Sequence, residues 1–298
     1  MKGTIKSLLI SASMAVGMSA IATSSALAAT LNLTNVQLFG DDYLVYGADD
    51  AITALTDTDR YSHIELNAAD ENLSTNTTGF TGNLGSTLVK VEGINADDWS
   101  GGLGAQWLSD FTAAYPAIAG ASFMGMNLGS MIADTAATVI GRAGDPNISY
   151  MAKDSTTGVI EMDLIGHHNI WNAPWLQLAI NEQVQIMSAQ TGMPVWMVAM
   201  GVNSLMTQLK QAVPLLQISE IAKVTIDGKV SYAYGFSAVE TGVLAADAGV
   251  GDSSSHTGRY TIALQGTPEK DRADVPEPSL MIGLALVGGA VVASKRKS

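Results

Sequence analysis

The chain has 298 residues, 15 Lys and Arg against 28 Asp and Glu for a net charge of −13, and no cysteine. The missing thiols exclude disulfides, thiolate metal sites and a cysteine nucleophile. The acidic balance argues against nucleic acid and anionic membrane surfaces as partners.

The first 28 residues read as a signal peptide. Lys2 and Lys6 give a basic start, and Leu8 to Ala22 is apolar or small. Ala26-Leu27-Ala28 fits the small-x-small rule for cleavage before Ala29. Residues 30–100 read as short strands and turns. Leu31, Leu33, Val36 and Leu38 come first, then Tyr43 to Tyr46, His63 to Leu66 and Thr87 to Val91, separated by Asp, Gly and Thr clusters.

Residues 103–142 change character. Trp107, Leu108, Phe111 and Tyr115 recur at helical spacing, as do Leu128, Met131, Ile132, Thr135 and Val139 before a stop at Gly141. Gly120 to Gly129, between them, has no readable period. After the turn Asp145-Pro146-Asn147, two strands are expected at Ile148 to Met151 and Val159 to Ile165. Two helices follow. Pro174 opens one, with Leu176, Ile180, Val184 and Met187 on one face as far as Gly192. Pro194 opens the other, with Val198, Val202, Leu205, Leu209 and Ala212 as its stripe, ended by Pro214.

The last third returns to strands. Asp227-Gly228 marks a hairpin, and a three-residue loop is expected. That loop pairs Thr225 with Lys229 and sets Val224 beside Val230 and Ala222 beside Tyr232, which segregates apolar from polar faces. Arg259 to Leu264 is a final strand, Asp247 to His256 a polar loop, and Thr267 to Asp274 a charged linker. No internal repeat is found. The order predicts an α+β fold: one domain with a mainly antiparallel sheet and helices packed on one side. The expected boundaries are a signal peptide at 1–28, an exported domain at 29–266, a linker at 267–275 and a tail at 276–298.

The tail carries Val275, Pro276, Glu277, Pro278 and Ser279, an uncharged apolar run from Leu280 to Ala293, and the basic end Lys295, Arg296 and Lys297. As a helix the apolar run spans roughly 21 Å, short against a hydrocarbon core of about 30 Å. The basic end stays cytoplasmic by the positive-inside tendency, and the prolines lie outside the helix. This order resembles the PEP-CTERM sorting signal of bacterial surface proteins. The resemblance implies as partner an exosortase, a membrane-embedded cysteine protease that recognises the tail and cuts near the motif, in a bacterium that makes exopolysaccharide. A plain membrane anchor is the other reading of the same tail.

The body is similar, over shorter stretches, to cyanobacterial PEP-CTERM proteins of no established activity. The stretches are Leu31 to Thr34 with Asp42 to Tyr46, Gly144 to Tyr150, and Ser255 to Tyr260. They bring no catalytic residue with them. Without the two end signals the chain keeps 10 basic and 27 acidic residues, a net charge near −17.

Few residues offer chemistry. His167-His168 are neighbours, which on a strand point to opposite faces and do not share a metal. The pairs Asp41-Asp42, Asp49-Asp50 and Asp57/Asp59 suit calcium in type, but no segment has the spacing of an EF-hand loop. Trp171 and Trp175 bracket Asn172-Ala173-Pro174 and are weak candidates for stacking on sugar, against ordinary core packing. Gly-x-Ser-x-Gly, His-Glu-x-x-His, Walker and dinucleotide signatures are all absent. Glu161 or Asp163 with Glu240 is a conceivable glycosidase pair whose separation a sequence does not show.

The expectation is therefore a non-catalytic exported protein of the cell surface or matrix, without cofactor or metal. Its partners are the secretion machinery and the exosortase, and it meets the membrane only through its tail. Two alternatives stay open: a polysaccharide-binding protein or glycan hydrolase of the matrix, and a calcium-binding surface protein.

Overall fold

Alternation of apolar residues builds most of the structure. A computed structural model describes residues 15–16 and 29–269, apart from 59, 70–77, 124–125, 128–143 and 244–253. Thirteen strands are labelled below from residue 30 onward. They are β1 (Thr30–Phe39), β2 (Tyr43–Tyr46), β3 (His63–Leu66), β4 (Gly79–Leu84), β5 (Thr87–Gly93), β6 (Ser122–Phe123), β7 (Met126–Asn127), β8 (Asn147–Asp154), β9 (Val159–Gly166), β10 (Ala222–Ile226), β11 (Lys229–Tyr234), β12 (Val239–Glu240) and β13 (Gly258–Gln265).

The main sheet runs β11-β10-β5-β4-β1-β8-β9-β13-β12, with every neighbouring pair antiparallel. The hairpin β2–β3 is added where β3 pairs with the start of β8. Ala15–Val16 lies parallel to Ala233–Tyr234. The sheet is curled. At Gly235, just past β11, an added Cβ would stand 3.1 Å from Ile262 and 3.3 Å from Tyr260 of β13, so the two strands approach closely only because this residue has no side chain. The architecture is α+β, with a curled antiparallel sheet and a few helices.

Inside the curl, Leu33, Ile64, Phe80, Val91, Ile148, Met162, Val224 and Ile262 form one continuous core. Each such side chain contributes roughly 1.5–3 kcal/mol by leaving water. The six-residue helix α1 (Ala51–Thr56) joins this core through Ala51, Ala54 and Leu55. It is too short to show a period in the sequence, and it forms because Asp50 caps it, accepting from Thr53 N at 2.8 Å. Strand β4 was equally hidden. Its sequence Gly-Phe-Thr-Gly-Asn-Leu is poor in strand formers, yet Phe80 and Leu84 are fully buried.

A second core gathers the helical segments. The turn Ala96–Asp98 and a π-turn at Trp99–Leu103 lead into α2 (Gly104–Ala114), followed by α3 (Pro116–Ala119). Trp107, Phe111, Tyr115 and Ile118 pack there with Leu209, Tyr232 and Tyr234. The two long helices appear where proline and glycine place them. Helix α4 (Pro174–Thr191) starts at its proline and stops at left-handed Gly192, and α5 (Val195–Ala212) follows Pro194. The stripe at Leu128 to Val139 lies outside the described residues.

The β10–β11 hairpin corrects one expectation. Its loop has two residues, pairing Ile226 with Lys229, Val224 with Ser231 and Ala222 with Ala233. Asp227 and Gly228 both have positive φ, at 48° and 81°, as a type I′ turn requires. The expected register assumed that one face was polar. In fact both faces of β11 are used: Ala233 enters the inner core, while Tyr232 and Tyr234 enter the helical one. With both faces covered, segregation of polar residues no longer fixes the register, and the turn chemistry decides it.

Candidate functional site

The clearest gathering of titratable groups lies where β2–β3 meets the start of β8. Register sets Tyr46 opposite His63, and their rings stack with centroids 4.8 Å apart. His256, just before β13, meets both rings edge-on at 4.5 Å. His63 and His256 are 2 % and 3 % exposed. His63 Nδ1 is 3.0 Å from the carbonyl of Tyr61, which only accepts, so Nδ1 carries the proton. Nε2 is then a buried lone pair, without a hydrogen-bond partner among the described residues. Burial lowers the pKa of both imidazoles. For His256 the neighbouring His63 and His167 add to burial, and the value falls to about 3. Both rings are thus neutral at ordinary pH.

The other half of the cluster is acidic. Tyr46 donates its hydroxyl to Glu65 Oε2. Glu65 stands across from Asn147, whose backbone N and Nδ2 donate to Glu220 at 2.9 and 3.2 Å. Burial first, then the charges of Asp145 and Glu65, raise the pKa of Glu220 well above the usual carboxylate range. Burial and the bond to Glu65 raise that of the Tyr46 hydroxyl. The carboxyls of Glu65, Asp145 and Glu220 therefore do not all ionise together readily. Among the described residues no group of three or more His, Asp or Glu is placed to hold a metal ion.

None of Tyr46, His63, Glu65, Asp145, Glu220 and His256 stood out as a site in the sequence, because no two share a motif spacing. The stretches Asp42 to Tyr46, Gly144 to Tyr150 and Ser255 to Tyr260, far apart in the chain, converge at this cluster.

The residues the sequence did single out fall elsewhere or serve the fold. His167 Nε2 accepts from Trp175 Nε1 at 3.2 Å, so its neutral form carries the proton on Nδ1, 3.1 Å from Ser254 Oγ. Its carbonyl accepts from Tyr260 at 2.5 Å. His168 donates its backbone N–H to Thr257 Oγ1 at 3.0 Å. Trp171 donates Nε1 to the carbonyl of Val213 at 2.6 Å, and both Trp171 and Trp175 pack, partly buried, against the helical core.

The acidic pairs are used in turns. Asp50 caps α1, Asp42 accepts from Ala69 N at 2.8 Å, and Asp57 accepts from Ser62 Oγ at 2.9 Å. Asp59 lies outside the described residues.

The structure does not assemble the conceivable glycosidase pair. Asp163 is wholly buried, accepts from Thr261 Oγ1 at 2.6 Å and pairs with Arg60 at 3.1 Å; Glu161 pairs with Arg60 at 2.5 Å. Glu240 sits beside Gly258, three residues along β13 from Thr261 and on the far side of β13 from Asp163, so the two backbones are roughly 14 Å apart. A small hollow lined by Arg60, Tyr61, His63, Ile165, Thr241, Val243 and His256 lies between this ion pair and the imidazoles.

Of the expected signal peptide, Ala15–Val16 are described, beside β11; Ala26 to Ala28, the motif Val275 to Ser279 and the basic end Lys295 to Lys297 lie outside the described residues. Ala29 is described: its carbonyl accepts from Ser155 N at 3.2 Å. No family model, no curated relative and no solved structure matches this chain.

Proposed function

We propose that this is a non-catalytic exported protein of the cell surface or extracellular matrix, released from its membrane tail by an exosortase. The observation that carries the proposal is the tail: Pro276-Glu277-Pro278, a short uncharged apolar run and Lys295-Arg296-Lys297, in that order. In this reading residues 29–266 are one α+β domain with its long helices on one side of the sheet, and 276–298 are discarded. A first cut after Ala28 spares β1, whose backbone pairs from Thr30, and removes Ala15–Val16 from their place beside β11. Mass spectrometry of the surface-located protein from an exosortase-positive host tests it. The expected product begins at Ala29 and has lost the basic end. Chains that all keep Lys295-Arg296-Lys297 refute the reading.

A second reading is a polysaccharide-binding or glycan-cleaving protein. The observation in its favour is the Tyr46–Glu65–Glu220 cluster, which places two carboxyls, the pKa of Glu220 raised by burial and by its acidic neighbours, at one end of the sheet. Binding on a glycan array that is lost in Glu220→Gln supports it. Neither binding nor turnover of the host's own polysaccharide removes it.

A further inference from the structure

The chain beyond β13 does not run straight into solvent. Gly266 N donates to the carbonyl of Gly158 at 3.1 Å, and Glu269 N donates to that of Ser155 at 2.9 Å. The Glu269 carboxylate reaches back over the β4–β5 turn, where Oε1 accepts from Ser86 N at 3.0 Å and from Lys153 Nζ at 2.7 Å. Lys153 is a core position of β8, and its side chain is 0 % exposed. Its other hydrogen bond is to Thr87 Oγ1 at 2.7 Å. A buried ammonium is costly unless it is paired and hydrogen-bonded. Among the described residues, Glu269 is the one carboxylate paired with Lys153.

The sequence reading placed a linker at 267–275; Glu269, within that span, bonds to the domain. Ala29 and Glu269 both bond to Ser155, so residue 269 and the start of β1 lie together at the β8–β9 turn. Pro276 lies seven positions beyond Glu269, a reach of at most about 25 Å. The imidazole and carboxyl cluster lies at the opposite end of the eight-residue strand β8, about 27 Å away.

We infer that residues 266–269 are a strap of the folded domain, closed by the Lys153–Glu269 ion pair, and that a cut freeing the domain from its tail leaves Glu269 on the domain. The strap itself stands on the structure alone; the statement about the cut rests on the sorting reading above.

Thermal melting of the full chain tests the strap. Glu269→Gln keeps an acceptor but removes the charge, and the melting temperature should fall by about 4–8 °C, because Lys153 is left buried and unneutralised. Glu240→Gln, on an exposed strand, should not move it. Lys153→Met with Glu269→Gln removes the stranded charge and should recover most of the loss. A Glu269→Gln chain that melts with the unaltered one overturns the strap. Mass spectrometry of the processed protein tests the cut. A C-terminus beyond Glu269 is expected, and a stable surface-located chain that ends before it overturns the inference. If every tail stays intact, the sorting reading falls, and the melting series still decides the strap.

Discussion

Tyr46 holds His63 with its ring and Glu65 with its hydroxyl, joining a neutral imidazole to a carboxylate across one strand pair. The two contacts separate by substitution. Tyr46→Phe keeps the stack and loses the hydrogen bond to an ionised group, which costs about 1–2 kcal/mol, since Glu65 is only half-buried and water replaces part of the bond. Tyr46→Ala also opens a gap beside two buried rings and costs about 3 kcal/mol. Urea unfolding of the two variants should show that order. Equal losses would mean that the ring contributes nothing beyond its hydroxyl.

His256 makes the fold sensitive to acid. Its folded pKa of about 3 lies below the unfolded value of 6.5. Between those values the unfolded chain binds a proton that the folded chain refuses. Its contribution is therefore complete above pH 6.5 and is lost as pH falls toward 3. Glu269 acts in the same direction lower down: the Lys153 hydrogen bond holds its pKa to about 2, so its contribution is lost as pH falls from 4.5 to 2. His256→Phe keeps a ring against Tyr46 and His63 but does not titrate. The stability of that variant, followed by urea midpoint, should decline less steeply between pH 6.5 and 4.

Glu220 has the opposite sign. Its folded pKa is raised, so the folded chain holds a proton that the unfolded chain releases above pH 4.5, and stability is lost as pH rises from there toward the folded value. Glu220→Gln is neutral throughout and still accepts from Asn147. It should melt higher than the unaltered chain at pH 8, by about 2–4 °C, and no higher at pH 4. A lower melting temperature at pH 8 would show that the ionised carboxylate is needed where it stands.

These residues also show what a single sequence reveals. Helices α4 and α5 were legible because Pro174, Gly192, Pro194 and Pro214 punctuate them and their apolar spacing is regular. Strands β8, β9 and β13 were legible from apolar runs between turns. The site was not, because it is made by register: Tyr46 meets His63 only once β2 pairs with β3, and His256 arrives from the far end of the chain. Lys153 shows the same limit from the core side. Nothing in Ala152-Lys153-Asp154 says that the lysine points inward, because its partner is a glutamate in a segment that reads as linker.

Arg60 and Asp163 give the sharpest test of the sheet's polar interior. Asp163 is 0 % exposed, while Arg60, over the ring of Tyr150 at 3.8 Å, also pairs with Glu161. Burial raises the pKa of Asp163, and Thr261, Arg60 and Arg259 oppose that rise. Arg60→Met removes the nearer of its two arginine partners and leaves Arg259 at 3.8 Å. A buried carboxylate stripped of its main partner costs about 3 kcal/mol. Losing Arg60 moves the Asp163 pKa further up, so the penalty is largest at neutral pH and shrinks as acid protonates the carboxyl. Asp163→Asn added to Arg60→Met removes the stranded charge and keeps a group that bonds Thr261, so the pair of substitutions should be less harmful than Arg60→Met alone. Denaturant unfolding of both variants at pH 7 and pH 5 measures this. If Arg60→Met loses as much stability at pH 5 as at pH 7, the loss comes from the arginine's packing on Tyr150 and not from the charge of Asp163.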